Sequence, residues 1–266
     1  MSSANKIDEI LNGFESISLK EVQRASLMRR KDSKFVFSFH HLPAILPLVK
    51  EDYRVLEIED RRSHPYVTAY YDTSELEMYH MHHRKMANRH KVRFRKYGTS
   101  GVHFLEVKMK NAKGITIKNR VRTPGMDASI LTREEEFLSS CSPYGKNGMI
   151  PAMENSFHRI TLVSRNQTER ITLDFGLTFA NLLHDNRLEL PGISIAEIKY
   201  ETHLSGSPFN AALRKTKISP RRFSKYAIGM ALLNSDLKQN LFKAKVRLVH
   251  QINDSYMQSI KSSSYA

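Results

Sequence analysis

Lys91-Val92-Arg93-Phe94-Arg95-Lys96-Tyr97 is the stretch from which the fold can be read. Charge alternates there with apolar bulk, the period-two signature of a β-strand. One side carries Lys91, Arg93, Arg95 and Tyr97, and the other carries Val92 and Phe94. A single strand of this kind is ordinarily a basic edge facing water. It becomes more than that only if other strands bring matching rows.

The next two strands do. In His103–Lys110 one face holds Glu106, Lys108 and Lys110, backed by Leu105, Val107 and Met109. In Ile115–Arg122 one face holds Thr116, Lys118, Arg120 and Arg122, and Asn111-Ala112-Lys113-Gly114 supplies the hairpin between the two. Upstream, Arg30–Phe37 sets Asp32 and Lys34 against Phe35 and Phe37. Strands around Tyr53–Asp60 and Tyr66–Asp72 follow, separated by Arg61-Arg62-Ser63-His64-Pro65. Downstream, 156–164 carries Arg159, 169–175 carries Arg170, Thr172 and Asp174 on one face, and Ile193–Glu201 groups Glu197, Lys199 and Glu201. The chain thus offers about nine strands in antiparallel-compatible order.

Helices fill the remainder. Residues 6–25 predict one or two short helices, and His41–Lys50 predicts another despite Pro43 and Pro47. Thr132 and Glu135 read as a capping box for a helix over 132–140. Ser207-Pro208 reads as an N-cap and N1 pair, and from Ser224 the chain reads as helical, then as a basic amphipathic stretch from Leu237 to Val249. The final Ser-Ser-Ser-Tyr-Ala reads as frayed. His80, His82, His83 and His90 lie close in sequence, but no Cys or acid stands beside them at metal-ligand spacing, so they read as a solvated basic segment.

With 266 residues, no Pro/Gly/Ser-rich linker and no internal repeat, one domain over 1–266 is expected. It would have an N-terminal helical segment over 1–25 and a C-terminal helix and tail over 236–266. The net charge of +15 calls for an anionic partner such as nucleic acid, acidic lipid or a phosphate compound. The single cysteine, Cys141, excludes an intrachain disulfide and any Cys-based zinc site. No apolar run approaches the roughly 20 residues of a membrane span, and the N-terminus lacks the apolar core of a signal peptide. A cytoplasmic location is expected, with the basic C-terminal stretch a candidate for peripheral contact at a membrane.

A closed antiparallel barrel would converge the cationic rows, since interior and exterior residues alternate along each strand. The fold class expected is therefore α+β: a barrel with a cationic lumen and an apolar exterior covered by helices. Two unit charges about 4 Å apart repel by roughly 4 kcal/mol at an effective dielectric near 20. Several such terms would exhaust a stability on the order of 5–15 kcal/mol. The lumen must therefore hold an anion, and a string of phosphates suits Arg forks and Lys ammonium groups.

Several segments, taken in order, resemble the VTC domain. They are Lys34-Phe35, Tyr70-Tyr71-Asp72-Thr73, Arg93-Phe94-Arg95-Lys96-Tyr97-Gly98, Leu105-Glu106-Val107-Lys108, Glu197-Ile198-Lys199-Tyr200 and Ser224-Lys225-Tyr226. That domain is the polyphosphate polymerase of the vacuolar transporter chaperone complex, with bacterial stand-alone relatives, in the triphosphate tunnel (CYTH-like) superfamily. The resemblance spans about 25–235 and implies a tunnel that binds ATP and lengthens a polyphosphate chain. By analogy Lys34, Arg93, Arg95, Lys108, Arg159 and Lys199 would be catalytic, and Lys118, Arg120, Arg170, Ser224 and Lys225 would hold phosphates. Glu197 would carry Mn²⁺ or Mg²⁺. Phe157 departs from the family, which tends to place a tyrosine two residues before the arginine matched by Arg159; a hydroxyl donor is lost. Bacterial relatives often act near membrane partners, so a membrane-protein partner is implied as well.

Two rivals follow from the same residues. A tri- or polyphosphatase, or a nucleoside triphosphatase, on this fold carries Glu-x-Glu-x-Lys in its early strand, whereas Arg30-Lys31-Asp32-Ser33-Lys34 has a single acid. Two-metal hydrolysis favours paired carboxylates, which leans toward the polymerase. A non-catalytic module binding polyphosphate or nucleic acid is permitted by the charge. Base stacking, though, needs exposed aromatics among the cations, and Phe35, Phe94 and Phe104 read as packed or strand-end residues, so no specific nucleic acid is expected.

Overall fold

A computed structural model describes residues 3–24, 31–126, 132–145, 148–201 and 203–264. The alternating stretches are strands of one eleven-stranded sheet. In chain order the strands are β1 (Ser16–Ser18), β2 (Lys31–Ser38), β3 (Tyr53–Glu57), β4 (His64–Thr73), β5 (Arg89–Tyr97) and β6 (Val102–Lys110). They continue with β7 (Thr116–Thr123), β8 (Met149–Ser164), β9 (Glu169–Asn181), β10 (Asn186–Leu190) and β11 (Ile193–Tyr200). Across the sheet the main path runs β2-β11-β9-β8-β4-β5-β6-β7, antiparallel at every step. β10 pairs with the far half of β9, β3 with β8, and β1 with β3 in parallel.

Helices α1 (Ser3–Asn12), α2 (Leu19–Arg24), α3 (Leu42–Leu48), α4 (Glu77–His83) and α5 (Glu135–Cys141) precede the long β8–β9 hairpin. Then come α6 (Pro208–Lys215), α7 (Lys225–Leu233) and α8 (Lys243–Ser264). Ser207 caps α6, its Oγ accepting from the Asn210 amide at 3.0 Å, and Ser224 caps α7 by accepting from Ala227 at 3.3 Å.

One sheet face is the apolar one. Phe35, Phe37, Ile160, Leu162, Ile171, Leu173, Ala196 and Ile198 are buried against α1, α3, α6 and Tyr256 of α8. Val92, Phe94, Leu105 and Val107 are buried in a second cluster with Met78 and Tyr79 of α4 and Leu138 of α5. Of the aromatics read as packed or strand-end residues, Phe35 and Phe94 pack outward. Phe104 instead stands opposite Arg95 and Arg122, on the polar face.

That polar face is concave. In a flat sheet β2 and β5 would lie about 24 Å apart, five spacings of ~4.8 Å. Yet the Arg221 amide donates to the Lys34 carbonyl of β2 at 2.6 Å, and Lys91 Nζ of β5 donates to Ser224 Oγ at 3.0 Å. Three residue steps span at most about 11 Å, and Lys34 of β2 is among the charges that act on Lys91 of β5, so the sheet curls to bring the two strands toward each other. Among the described residues no ladder joins β7 to β2. Among the described residues the sheet is a curled trough, and the closed ring expected from the alternation is not shown by backbone pairing.

The trough is charged over part of its length. At its other end Val36, Ile195, Met153 and Phe179 share the face and are buried together with Tyr226, Ala227 and Met230 of α7. Phe179 reaches that face through a bulge, where the β8–β9 register shifts between Ser156 and His158 and Gly176 takes φ +60°. An α7 residue with a side chain at position 229 would collide: a Cβ there would lie 2.5 Å from Met153 Sδ and 2.6 Å from Phe179 Cδ1. So α7 plugs the trough rather than covering its outside.

Other expectations need correction. Residues 16–18 form β1 between α1 and α2, so the N-terminal segment is not purely helical. Thr132 does not cap the helix that follows: α5 starts at Glu135, after Glu134 in a non-helical turn conformation with no side-chain cap. The stretch from Leu237 is not helical until Lys243; α7 ends where Asn234 Nδ2 bonds the Met230 carbonyl and Asn181 Nδ2 bonds Asn234 Oδ1. Ser262–Ser264, expected to fray, belong to α8. Arg30, Tyr265 and Ala266 lie outside the described residues. No helix among the described residues is long and apolar enough to cross a membrane.

Candidate functional site

The trough's charges gather around three buried or half-buried carboxylates. On β6, Glu106 is fully buried and receives Arg93 Nε at 2.8 Å and Nη2 at 2.6 Å, with Lys118 paired to its other oxygen. Burial alone would raise the Glu106 carboxyl; Arg93, Arg95 and Lys118 instead hold it well below the usual range. The register places these groups, since Arg93 stands opposite Glu106 and Glu106 opposite Arg120.

On β9, Asp174 forms a fork-to-fork pair with Arg159 of β8, Nε–Oδ1 at 2.6 Å and Nη2–Oδ2 at 2.8 Å. Lys225, the first residue of α7, pairs with the same carboxylate. Against its burial, Arg159 and Lys225 bring the Asp174 carboxyl down to about 2. On β11, Glu197 Oε1 accepts from Lys34 at 2.5 Å and Lys199 at 2.7 Å, and Lys199 also reaches Asp32 at 3.1 Å. Burial opposes ionisation of Glu197 too, but the two lysines hold its carboxyl well below the usual range.

Lys91, Arg95 and Lys108 have no such partner: among the described residues no carboxylate lies within ion-pairing distance of them. Arg95 is 7% exposed; its Nε donates to Thr68 Oγ1 at 3.2 Å and its guanidinium lies 5.6 Å from the Tyr66 ring. Burial, then Arg93, lowers the Arg95 pKa. For Lys108 the order is reversed, Arg93 first and burial second, and the ammonium falls well below its ordinary value. Burial brings Lys91 down to about 7 and Lys225 to about 8.

The expected site residues therefore divide. Lys34, Arg93, Arg95, Lys108, Lys118, Arg159, Lys199, Glu197, Ser224 and Lys225 face one trough. Arg170 shares the face of Lys199, but its Nη2 donates to the Val22 carbonyl of α2 at 2.6 Å. Arg120 is exposed near the rim, its guanidinium 4.7 Å from the Phe104 ring. Phe157 supplies a floor for cations: its ring stacks on Tyr66 at 5.4 Å, with Lys225 Nζ 4.1 Å and the Arg159 guanidinium 5.2 Å from its centroid.

Two features escaped the sequence reading. Lys91 sat in the decisive strand but outside the segments that carry the resemblance, and only the curl reveals its contact with Ser224. Asp72 is buried on β4, accepting from the Met78 and Tyr79 amides at 2.9 Å each and bonding the Tyr226 hydroxyl. It ties α4 and α7 to the sheet, a role that Tyr-Tyr-Asp-Thr alone does not announce.

Among the described residues no group of three or more His, Cys, Asp or Glu could enclose a metal ion. Magnesium-like ions often rest on one or two carboxylates plus substrate phosphates. Glu197, with Asp32 beside Lys199, fits that sparse donor set and no richer one.

The VTC domain profile matches residues 29–234. The chain belongs to the VTC-domain family. No curated protein sequence matches it. Among solved structures, a candidate adenylate cyclase from Vibrio parahaemolyticus is 14% identical with a TM-score of 0.45, covering 75% of this chain and 97% of its own. PH1819 from Pyrococcus horikoshii OT3 is 14% identical, TM-score 0.44, covering 76% and 96%. An adenylyl cyclase candidate from Hippeastrum, described as having a dominant triphosphatase activity, is 13% identical, TM-score 0.45, covering 81% and 99%. In this VTC domain the unpaired cations lie on β5 and β6, with Lys91 of β5 reaching Ser224 at the start of α7.

Proposed function

We propose that this protein is a polyphosphate polymerase that transfers the γ-phosphoryl group of ATP to a growing polyphosphate chain inside the trough. The observation that carries the reading is the unpaired set Lys91, Arg95 and Lys108, standing on a concave face whose carboxylates are already committed to other cations. Such a face is poised for a multiply charged anion, and membership of the VTC-domain family supports a polyphosphate or triphosphate as that anion.

A terminal phosphate oxygen of the chain attacks the γ-phosphorus, the bond to the β,γ-bridging oxygen breaks, and ADP leaves with that electron pair. The reaction asks for positioning and charge stabilisation and needs no protein nucleophile. Arg93, Arg95 and Arg159 offer planar forks to equatorial oxygens, and Lys34, Lys108 and Lys199 offer ammonium groups. Lys118, Arg120, Arg170, Ser224 and Lys225 hold flanking phosphates, the last two at the N-terminus of α7. Glu197 would anchor Mn²⁺ or Mg²⁺, which when bound neutralises charge on the phosphates. Lys34 and Lys199, which pair with Glu197 in the free protein, would be within reach of phosphate oxygens in the trough.

The same proposal takes the chain as one domain, treats the trough as the wall of a tunnel that substrate completes, and places the protein in the cytoplasm beside a membrane-protein partner. Incubation with ATP and Mn²⁺ tests it. Long anionic polymer with ADP supports polymerisation; orthophosphate without polymer assigns hydrolysis, for which Asp32 beside Lys199 is the favouring contact. Neither product, with polyphosphate still bound, leaves a binding module. Lys34→Ala, Arg95→Ala and Glu197→Gln should each remove most of the activity, and unchanged rates would overturn the assignment.

A further inference from the structure

Lys91 and Lys108 stand directly opposite one another on β5 and β6, and Lys108 stands opposite Lys118 on β7. Like charges directly opposed across a ladder destabilise a sheet unless something lies between them. Lys118 has Glu106 as its partner; Lys91 and Lys108 have no carboxylate within pairing distance among the described residues. Glu106, one row along, attracts Lys108 but is committed to Arg93 and Lys118. Lys91 is partly accessible from the trough and directs its ammonium to Ser224 Oγ at 3.0 Å. That hydroxyl is itself the cap of α7, whose first amides face the same way.

We propose that Lys91 is a further phosphate-holding residue, forming with Lys108 and the Ser224 hydroxyl the seat of one phosphate of the bound chain. The proposal rests on the polyphosphate reading above and adds to it a residue outside the segments that carry the resemblance.

The surroundings make this seat proton-linked. Lys91 is faced by Arg89 and Arg93 on its own strand, Lys108 and Lys110 on β6, Lys34 on β2 and His82 on α4. Burial, with Lys91 and Arg89 nearby, keeps His82 neutral, so the charged neighbours are all positive. In the free protein burial and these neighbours accordingly bring the Lys91 ammonium down from its ordinary value to about 7. A phosphate between Lys91 and Lys108 reverses the sign of the local field and draws a proton onto each lysine.

The test is calorimetric titration with inorganic tripolyphosphate at pH 7, repeated in buffers of different ionisation enthalpy so that proton uptake is read separately from heat of binding. The wild type should take up protons. Lys91→Arg, always charged, should keep affinity within a few-fold while taking up fewer protons. Lys91→Met should lose about tenfold in affinity, the weight of one charge-assisted hydrogen bond, with an unchanged far-ultraviolet spectrum and a melting temperature level or raised. Lys108 and Lys225 titrate too, so the comparison with wild type is the reading that counts. Wild-type affinity and wild-type uptake in Lys91→Met would overturn this assignment alone. Failure of the wild type to bind tripolyphosphate would overturn it together with the polyphosphate reading.

Discussion

Arg93 and Arg95 are neighbours in one row of one strand, both nearly buried, yet their circumstances are opposite. Arg93 is locked to Glu106 by two hydrogen bonds, whereas Arg95 has a threonine hydroxyl and the face of Tyr66. Arg93→Ala would leave Glu106 with Lys118 as its direct ion-pair partner and Arg95 further off, and should cost about 3–5 kcal/mol of stability, the usual effect of breaking a buried pair. Arg95→Ala removes a buried charge with no counter-charge and should leave thermal stability level or raised. Both should weaken tripolyphosphate binding, so melting curves beside binding curves separate the two roles. The alternation displays both arginines equally well. What distinguishes them is a cross-strand register that pairs Arg93 with Glu106 and Arg95 with Phe104, and period two does not fix register between strands.

At the scale of elements, α7 does what the sequence led one to expect at its start and something else along its body. The Ser224-Lys225 cap could be read directly, because an N-cap serine before an apolar run has a local cause. Insertion of that helix into the trough could not: it depends on Gly229 meeting Met153 and Phe179, which are far apart in sequence and joined by a bulge at Gly176. The long β8–β9 hairpin was read short for a related reason. Its outer half faces α7 as well as solvent-side neighbours, so apolar residues such as Ala152 and Met153 fall on both faces and blur the alternation. Gly229→Ala is the corresponding test. The added carbon would press on Met153 Sδ and the Phe179 ring, costing about 1–3 kcal/mol as overpacking does. Because the same helix begins with Ser224 and Lys225, tripolyphosphate affinity should fall as well, though no trough-lining side chain has changed. Thermal denaturation and calorimetry on one preparation read both effects, and a destabilised variant with unaltered affinity would uncouple the plug from the site.

For the molecule as a whole, the alternation of nine segments exposed an apolar exterior and a charged interior. Closure was beyond it, because a barrel needs a ladder between first and last strands and nothing in β2 or β7 individually specifies that pairing. What the trough does have is a charge balance that depends on pH from both sides. Asp174, Glu106 and Glu197 have folded-state pKa values below their unfolded ones, so the stability they contribute is present above about pH 5. It is lost as pH falls, for Asp174 through about 2. Lys91 and Lys225 have folded values near 7 and 8 against an ordinary 10.5. Between those limits the unfolded chain binds more protons than the folded one, so the free protein should gain stability as pH rises from about 7 toward 10. Tripolyphosphate reverses this second trend, because it binds the protonated lysines best and pulls their pKa values back up. At 100 times its dissociation constant a ligand adds about 2.7 kcal/mol, on the order of 5–10 °C for a chain of this size. That increment should be largest at pH 6–7 and shrink toward pH 9–10 as the lysines discharge. Melting curves with and without tripolyphosphate across pH 6–10 measure it, and an increment independent of pH would mean that the phosphates are held by the arginines alone.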